Sequence, residues 1–107
     1  MLQLDQFYKA RYVLSNVLRK TELIHAKKIN PDVDVYLKPE CLQLTGSFKL
    51  RGAYFKISQL SDEEKKKGVI ACSAGNHAQG VALGARNAGI NATICMPANA
   101  PISKVAA

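Results

Sequence analysis

Thr45-Gly46-Ser47-Phe48-Lys49-Leu50-Arg51-Gly52-Ala53 sets a lysine at the start of an apolar-striped segment, directly after a glycine-containing loop. The opening turn of a helix carries the positive end of the backbone dipole, which disfavours an ammonium there. Partial burial of Lys49 would push the same way. A neutral amine is what capture of a carbonyl compound requires. Phe48, next to it, offers a ring face to a planar ligand. On these residues alone, a solvated helix lysine beside a core phenylalanine is the commoner reading. A Walker loop is excluded, because no glycine is followed at the right distance by Gly-Lys-Ser/Thr.

A second segment, Cys72-Ser73-Ala74-Gly75-Asn76-His77-Ala78-Gln79-Gly80, runs from an apolar stretch through small residues into helix-forming sequence. A strand, a tight turn and a helix start in that order aim backbone N–H groups at one spot, a ready site for a carboxylate or phosphate. Gly75 permits close backbone approach. Plain N-capping by Ser73 and Asn76 explains the same residues as well. His77 reads as a hydrogen-bonding neighbour in the first turn rather than as an acid–base group.

The elements that must hold these segments follow from periodicity. Leu4 to Leu18 reads as a helix with Phe7, Ala10, Leu14 and Val17 on one face. Asn30-Pro31-Asp32 is a turn, and Val33 to Lys38 alternates as a strand stopped by Pro39. A second helix carries Leu50, Ala53, Tyr54 and Ile57 as one stripe. Ser61 and Glu64 form a capping box for a short helix ending at Gly68. Val69 to Cys72 and Ala92 to Met96 have the composition of buried strands. Between them a helix runs from about Asn76 to Asn87, with Ala78, Val81, Ala82 and Ala85 inward, and Gly89 stops it. Pro101 suits the first turn of a further helix. Strands alternating with helices predict an α/β fold with a partial, open, mainly parallel sheet flanked by helices. The last helix shows no stop signal by Ala107, so the reading is of a chain cut within a larger domain.

Composition narrows the classes of function. The chain has 107 residues, 48% of them hydrophobic and 21% charged, ordinary values for a globular protein. Its net charge is +7, but the basic residues do not cluster. Lys65-Lys66-Lys67 follows Asp62-Glu63-Glu64 in the order that suits a helix dipole, and no nucleic-acid motif appears. No nucleic-acid partner is expected. No apolar run approaches a membrane span, and the amino terminus lacks the pattern of a secretory signal. Cys41, Cys72 and Cys95 make no Cys-x-x-Cys pattern, so no metal site is expected. Cys72 and Cys95 read as small buried hydrophobes, and reduced thiols agree with a cytoplasmic address.

Pro39-Glu40, Thr45 to Ala53, Ser73 to Ala82, and Met96-Pro97 with Ala100-Pro101-Ile102-Ser103-Lys104, taken in order and at this spacing, closely resemble the threonine dehydratases (threonine ammonia-lyases). These are pyridoxal-phosphate enzymes of the tryptophan-synthase-β-like fold. The resemblance covers the chain from about residue 7 onward. It implies that Lys49 carries pyridoxal 5′-phosphate and, once released by substrate, acts as the base at Cα. It further implies that Phe48 packs on the cofactor and that Asn76 hydrogen-bonds its ring hydroxyl. Ser73, Gly75, Asn76 and His77 would bind the substrate carboxylate. The implied reaction converts L-threonine, and L-serine, to 2-oxobutanoate or pyruvate with release of ammonia.

Serine racemases share the lysine motif but carry a second serine where this chain has Ala74. Elimination needs one base and racemisation two, so the residue favours the dehydratase. Racemase, a related β-elimination enzyme and a non-catalytic remnant are the alternatives. The family's glycine-rich loop for the cofactor phosphate, and its Ser or Cys facing the pyridine nitrogen, have no counterpart in residues 1–107. The expectation is therefore that residues 1–107 are the amino-terminal part of a catalytic domain, inactive alone and homo-oligomeric when complete. Leu44 to Ser47 leans toward the short catabolic type rather than the isoleucine-inhibited biosynthetic one.

Overall fold

Apolar side chains recurring along two helices and one face of a small sheet build the centre of the protein, described here from a computed structural model of residues 1–107. The elements, in order, are α1 (Leu4–Ser15), β1 (Ile24–His25), β2 (Tyr36–Leu37), a 3-10 turn (Glu40–Leu42), α2 (Lys49–Ser58), α3 (Asp62–Lys67), β3 (Val69–Cys72), α4 (Asn76–Ala88), β4 (Ala92–Cys95) and α5 (Ile102–Ala106). β3 and β4 pair in parallel with Val69 opposite Ala92 and Cys72 opposite Cys95. β1 and β2 form a separate antiparallel pair. The predicted α/β class and the parallel pairing are both present. No helix is long and apolar enough to cross a membrane.

The core lies where α2 and α4 meet over the sheet. Ala53, Ile57, Val81 and Ala85 form it, with Val69, Ala71 and Ile94 packed from the strands. Small residues on α4 set the approach. A Cβ on Gly80 would lie 3.2 Å from the Lys49 carbonyl carbon, and one on Gly84 would lie 3.5 Å from the Tyr54 Cα. Since Gly80 meets the start of α2 and Gly84 its middle, the two helices run in the same direction. Their amino-terminal ends therefore lie at one end of the structure, beyond the carboxyl ends of β3 and β4.

The strands differ from the prediction. Both are open on one face: Ile70 is 80% exposed, and Cys72 and Cys95 are exposed. Alternation explains the pattern, since side chains at successive positions point to opposite faces. Val69, Ala71 and Ile94 meet the helices, while nothing in residues 1–107 covers the other face.

The amino-terminal region departs further. α1 ends at Ser15, whose hydroxyl donates to the Tyr12 carbonyl at 2.7 Å. A serine that bonds its own helix competes with continuation. Of the predicted stripe only Leu14 is buried; Phe7 is exposed. The strand expected over 33–38 contracts to Tyr36–Leu37, and its partner Ile24–His25 carried no periodic signal because it is only two residues long. The capping box at Ser61 and Glu64 is present, and Gly68 ends α3 at φ 76°.

Candidate active site

Lys49 is the first residue of α2, and Phe48 precedes it as N-cap. The Lys49 Nζ lies 4.8 Å from the centre of the Phe48 ring. Both side chains are exposed, Phe48 at 57%, so the partial burial expected of Lys49 is not found. Within residues 1–107 nothing covers Lys49, while Leu50, one residue on, takes the inward position and is wholly buried.

The loop before Lys49 is held by a polar network. Arg51 Nε donates to Glu40 Oε2 at 2.9 Å and its Nη2 to Oε1 at 2.7 Å. Buried Thr21 donates its hydroxyl to the same Oε1 at 2.8 Å. Buried Gln43 accepts from the Arg19 and Leu44 amides and donates to the Arg19 carbonyl. Two hydrogen bonds from Arg51 hold the Glu40 carboxyl below the usual carboxylate range, against the opposing pull of burial. Gly46 adopts φ 68°, a left-handed turn that favours glycine. The Thr45 and Ser47 hydroxyls beside it are buried without a hydrogen-bond partner.

Ser73 to Gly75 links β3 to α4. The Ser73 amide donates to the Cys95 carbonyl at 3.0 Å, extending the ladder past the strand end. Ser73 Oγ accepts from the Gly75 amide at 3.2 Å. Gly75 is the N-cap of α4, so Asn76 begins the helix and its side chain makes no cap. The capping interpretation thus holds for Ser73 in part and fails for Asn76. The backbone amides of Asn76 and His77 have no acceptor within the protein. Asn76 and Gly80 are one turn apart on one helix face. Because Gly80 touches the Lys49 backbone, Asn76 is brought to the Lys49 end of the contact.

His77 is placed differently. It borders a groove of about 330 Å³ shared with Gly52, Ala53, Lys56, Ile70 and Val81, on the flank of α2 and β3. Two further residues were given no role by sequence reasoning: Gln43, a buried polar side chain with no pattern to mark it, and Lys104, part of a motif but without an assigned contact, whose ammonium donates to Asn76 Oδ1 at 2.9 Å. No group of three or more His, Cys, Asp or Glu side chains is arranged to hold a metal.

Residues 14–107 match the family model described as pyridoxal-phosphate dependent enzyme. The chain is 52% identical to an L-threonine ammonia-lyase of Thermotoga maritima, over 98% of its own length and 27% of that protein's. It is 50% identical to a catabolic L-threonine dehydratase of Staphylococcus aureus (strain N315), over 97% of its length and 31% of the relative's. Among solved structures, maize serine racemase superposes with a TM-score of 0.91 at 39% identity, over 97% of this chain and 32% of that one. The chain thus spans about three tenths of the length of the proteins it matches. With a family model matched over residues 14–107 and 52% identity to an L-threonine ammonia-lyase over nearly all of its own length, the chain belongs to the pyridoxal-phosphate dependent enzymes.

Proposed function

We propose that the whole protein is a catabolic L-threonine ammonia-lyase, acting on L-threonine and L-serine, and that residues 1–107 are the amino-terminal part of its catalytic domain. The observation that carries this reading is the meeting of Lys49 with the start of α4, through the Gly80 contact, at the carboxyl ends of parallel strands. Ligands of open α/β sheets bind at that edge.

Three features of the region fit pyridoxal phosphate. Phe48 is more than half exposed with the Lys49 amine over its ring, the Asn76 Nδ2 has no acceptor, and two backbone amides at the start of α4 are free. When bound, the cofactor supplies an electron sink for a substrate that loses its Cα proton. The protein's own groups do the rest in this reading. Lys49 would hold the cofactor and, once released, take the proton from Cα, a proton then leaving with the β-hydroxyl. Phe48 would pack against the cofactor ring, and Asn76 would donate to its ring oxygen. The amides of the Ser73–His77 loop hold the substrate carboxylate, aided by the positive end of α4. The β-hydroxyl departs as water, and water then replaces the nitrogen, which leaves as ammonia with 2-oxobutanoate as product. The exposed apolar residues of α1 and the open face of β3–β4 support contact with further chain and a homo-oligomer. Three free cysteines suit the cytoplasm.

Racemisation of serine is the second reading, favoured by the superposition on a serine racemase. Higher identity to the ammonia-lyase and the occurrence of Ala74 in the asparagine loop favour elimination. Borohydride reduction of the full-length, cofactor-loaded protein followed by peptide mapping tests the core of the proposal. One cofactor mass should reside on Lys49, and threonine should yield 2-oxobutanoate in the unreduced enzyme. A cofactor trapped on another lysine, or a protein that racemises serine faster than it eliminates water, would overturn it.

A further inference from the structure

Lys104 reaches the candidate site from a different element than any residue assigned above. It sits on α5, and its Nζ donates to the Asn76 side-chain oxygen at 2.9 Å, across 28 residues of sequence. Its helix follows β4, so the contact ties together the segments that leave the carboxyl ends of both parallel strands. The chemistry of the pair is one-directional. An ammonium has three donors and no acceptor, while an asparagine amide has one acceptor oxygen and a two-donor nitrogen. The Asn76 oxygen must therefore face Lys104, and the amide nitrogen must face away. Asn76 Nδ2 makes no hydrogen bond in the protein, so its donors are unspent. A charged donor on the oxygen also draws electron density from the nitrogen and strengthens those donors.

We propose that Lys104 is a positioning residue that fixes the amide orientation of Asn76, so that Nδ2 is presented as a hydrogen-bond donor to the cofactor ring oxygen. The inference rests on the proposed role of Asn76. Without Lys104 the amide can turn over and offer its oxygen to another oxygen, which repels rather than binds.

Full-length protein tests this through cofactor affinity and the visible absorption of the bound cofactor, neither of which needs turnover. Lys104→Met should weaken cofactor binding by roughly 3- to 10-fold, the worth of one ordinary hydrogen bond. It should also raise the pH at which the absorption changes, because a donor to the ring oxygen favours the deprotonated linkage. Lys104→Arg, still donor-only, should restore both. Asn76→Ala should reproduce the Lys104→Met changes, and the double variant should be no worse than Asn76→Ala alone. Circular dichroism and thermal midpoint identify a variant that fails to fold, in which case Lys104→Arg and Lys104→Gln carry the comparison. If Asn76→Ala leaves affinity and spectrum unchanged, the role of Asn76 fails and this inference with it. If Asn76→Ala changes them while Lys104→Met does not, or the two losses add, the positioning role alone is overturned.

Discussion

Arg51 grips Glu40 through two hydrogen bonds, 2.9 Å from Nε and 2.7 Å from Nη2. The pair clamps the 3-10 turn onto the first turn of α2, two residues beyond Lys49. The loop of residues 43–48 is thus held at both ends. The Glu40 side chain is 16% exposed, so the pair is shielded more than an ordinary surface ion pair.

This pair makes stability near Lys49 depend on pH. The folded-state pKa of Glu40 is depressed, chiefly by the hydrogen bonds from Arg51. Its contribution is therefore complete above the ordinary glutamate range and is lost as pH falls through the lower folded value. Glu40→Gln should cost about 1–2 kcal/mol at pH 7, the worth of a hydrogen bond to a charged group in a partly open site. Denaturant titrations of both proteins should converge as the solution is acidified. A constant gap down to pH 2 would contradict the assignment.

Gly80 and Gly84 lie on the same face of α4 but differ in what they meet. A methyl on Gly80 would press on backbone, at 3.2 Å from Leu50 N and the Lys49 carbonyl. A methyl on Gly84 would meet the tip of Ile57 at 2.9 Å, which can rotate away. Overpacking costs about 1–3 kcal/mol, against about 0.5–1 kcal/mol gained from alanine in a helix. Gly80→Ala should lower the thermal midpoint and cofactor affinity together. Gly84→Ala should do much less, and equal losses from the two would refute the backbone contact.

Gly68 joins α3 to β3 at φ 76° and ψ −168°, a region open essentially to glycine. A Cβ there would lie 2.6 Å from the Asn91 carbonyl oxygen. That same oxygen accepts from the Val69 amide at 2.9 Å at the entry to the parallel pair. Gly68→Ala should destabilise the protein by at least about 1–3 kcal/mol from strain alone. Chemical denaturation measures it, and an unchanged midpoint would mean the strands are not joined this way.

Ala74 separates the two proposed chemistries. It lies half-buried in the loop between β3 and α4, next to Ser73. Ala74→Ser in the full-length enzyme should increase conversion of L-serine to D-serine relative to pyruvate formation, as read by chiral chromatography. No change in that ratio would count against the assignment of the second face to this position.

Much of the site was legible in the residues because its parts are local. Thr45 to Ala53 and Ser73 to Gly80 each fold as one loop and one helix start, so their order placed a lysine at one helix start and a strand–turn–helix start at another, whose amides could be read as free or as capped. The capping box at Ser61 and Glu64 was equally readable, since both partners lie within one turn. Alternation of helices with two apolar strands was enough for the parallel pairing.

What joins distant segments was decided by the tertiary structure. Glu40 with Arg51, Gln43 with Arg19, and Lys104 with Asn76 are pairs whose spacing carries no periodic signal. Exposure was decided there too. Cys72 and Cys95 had buried composition but lie on the uncovered face of a two-stranded sheet, and Lys49 lies uncovered while Leu50 takes the core. A sequence states which faces are apolar; only the packed chain determines which of them find a neighbour.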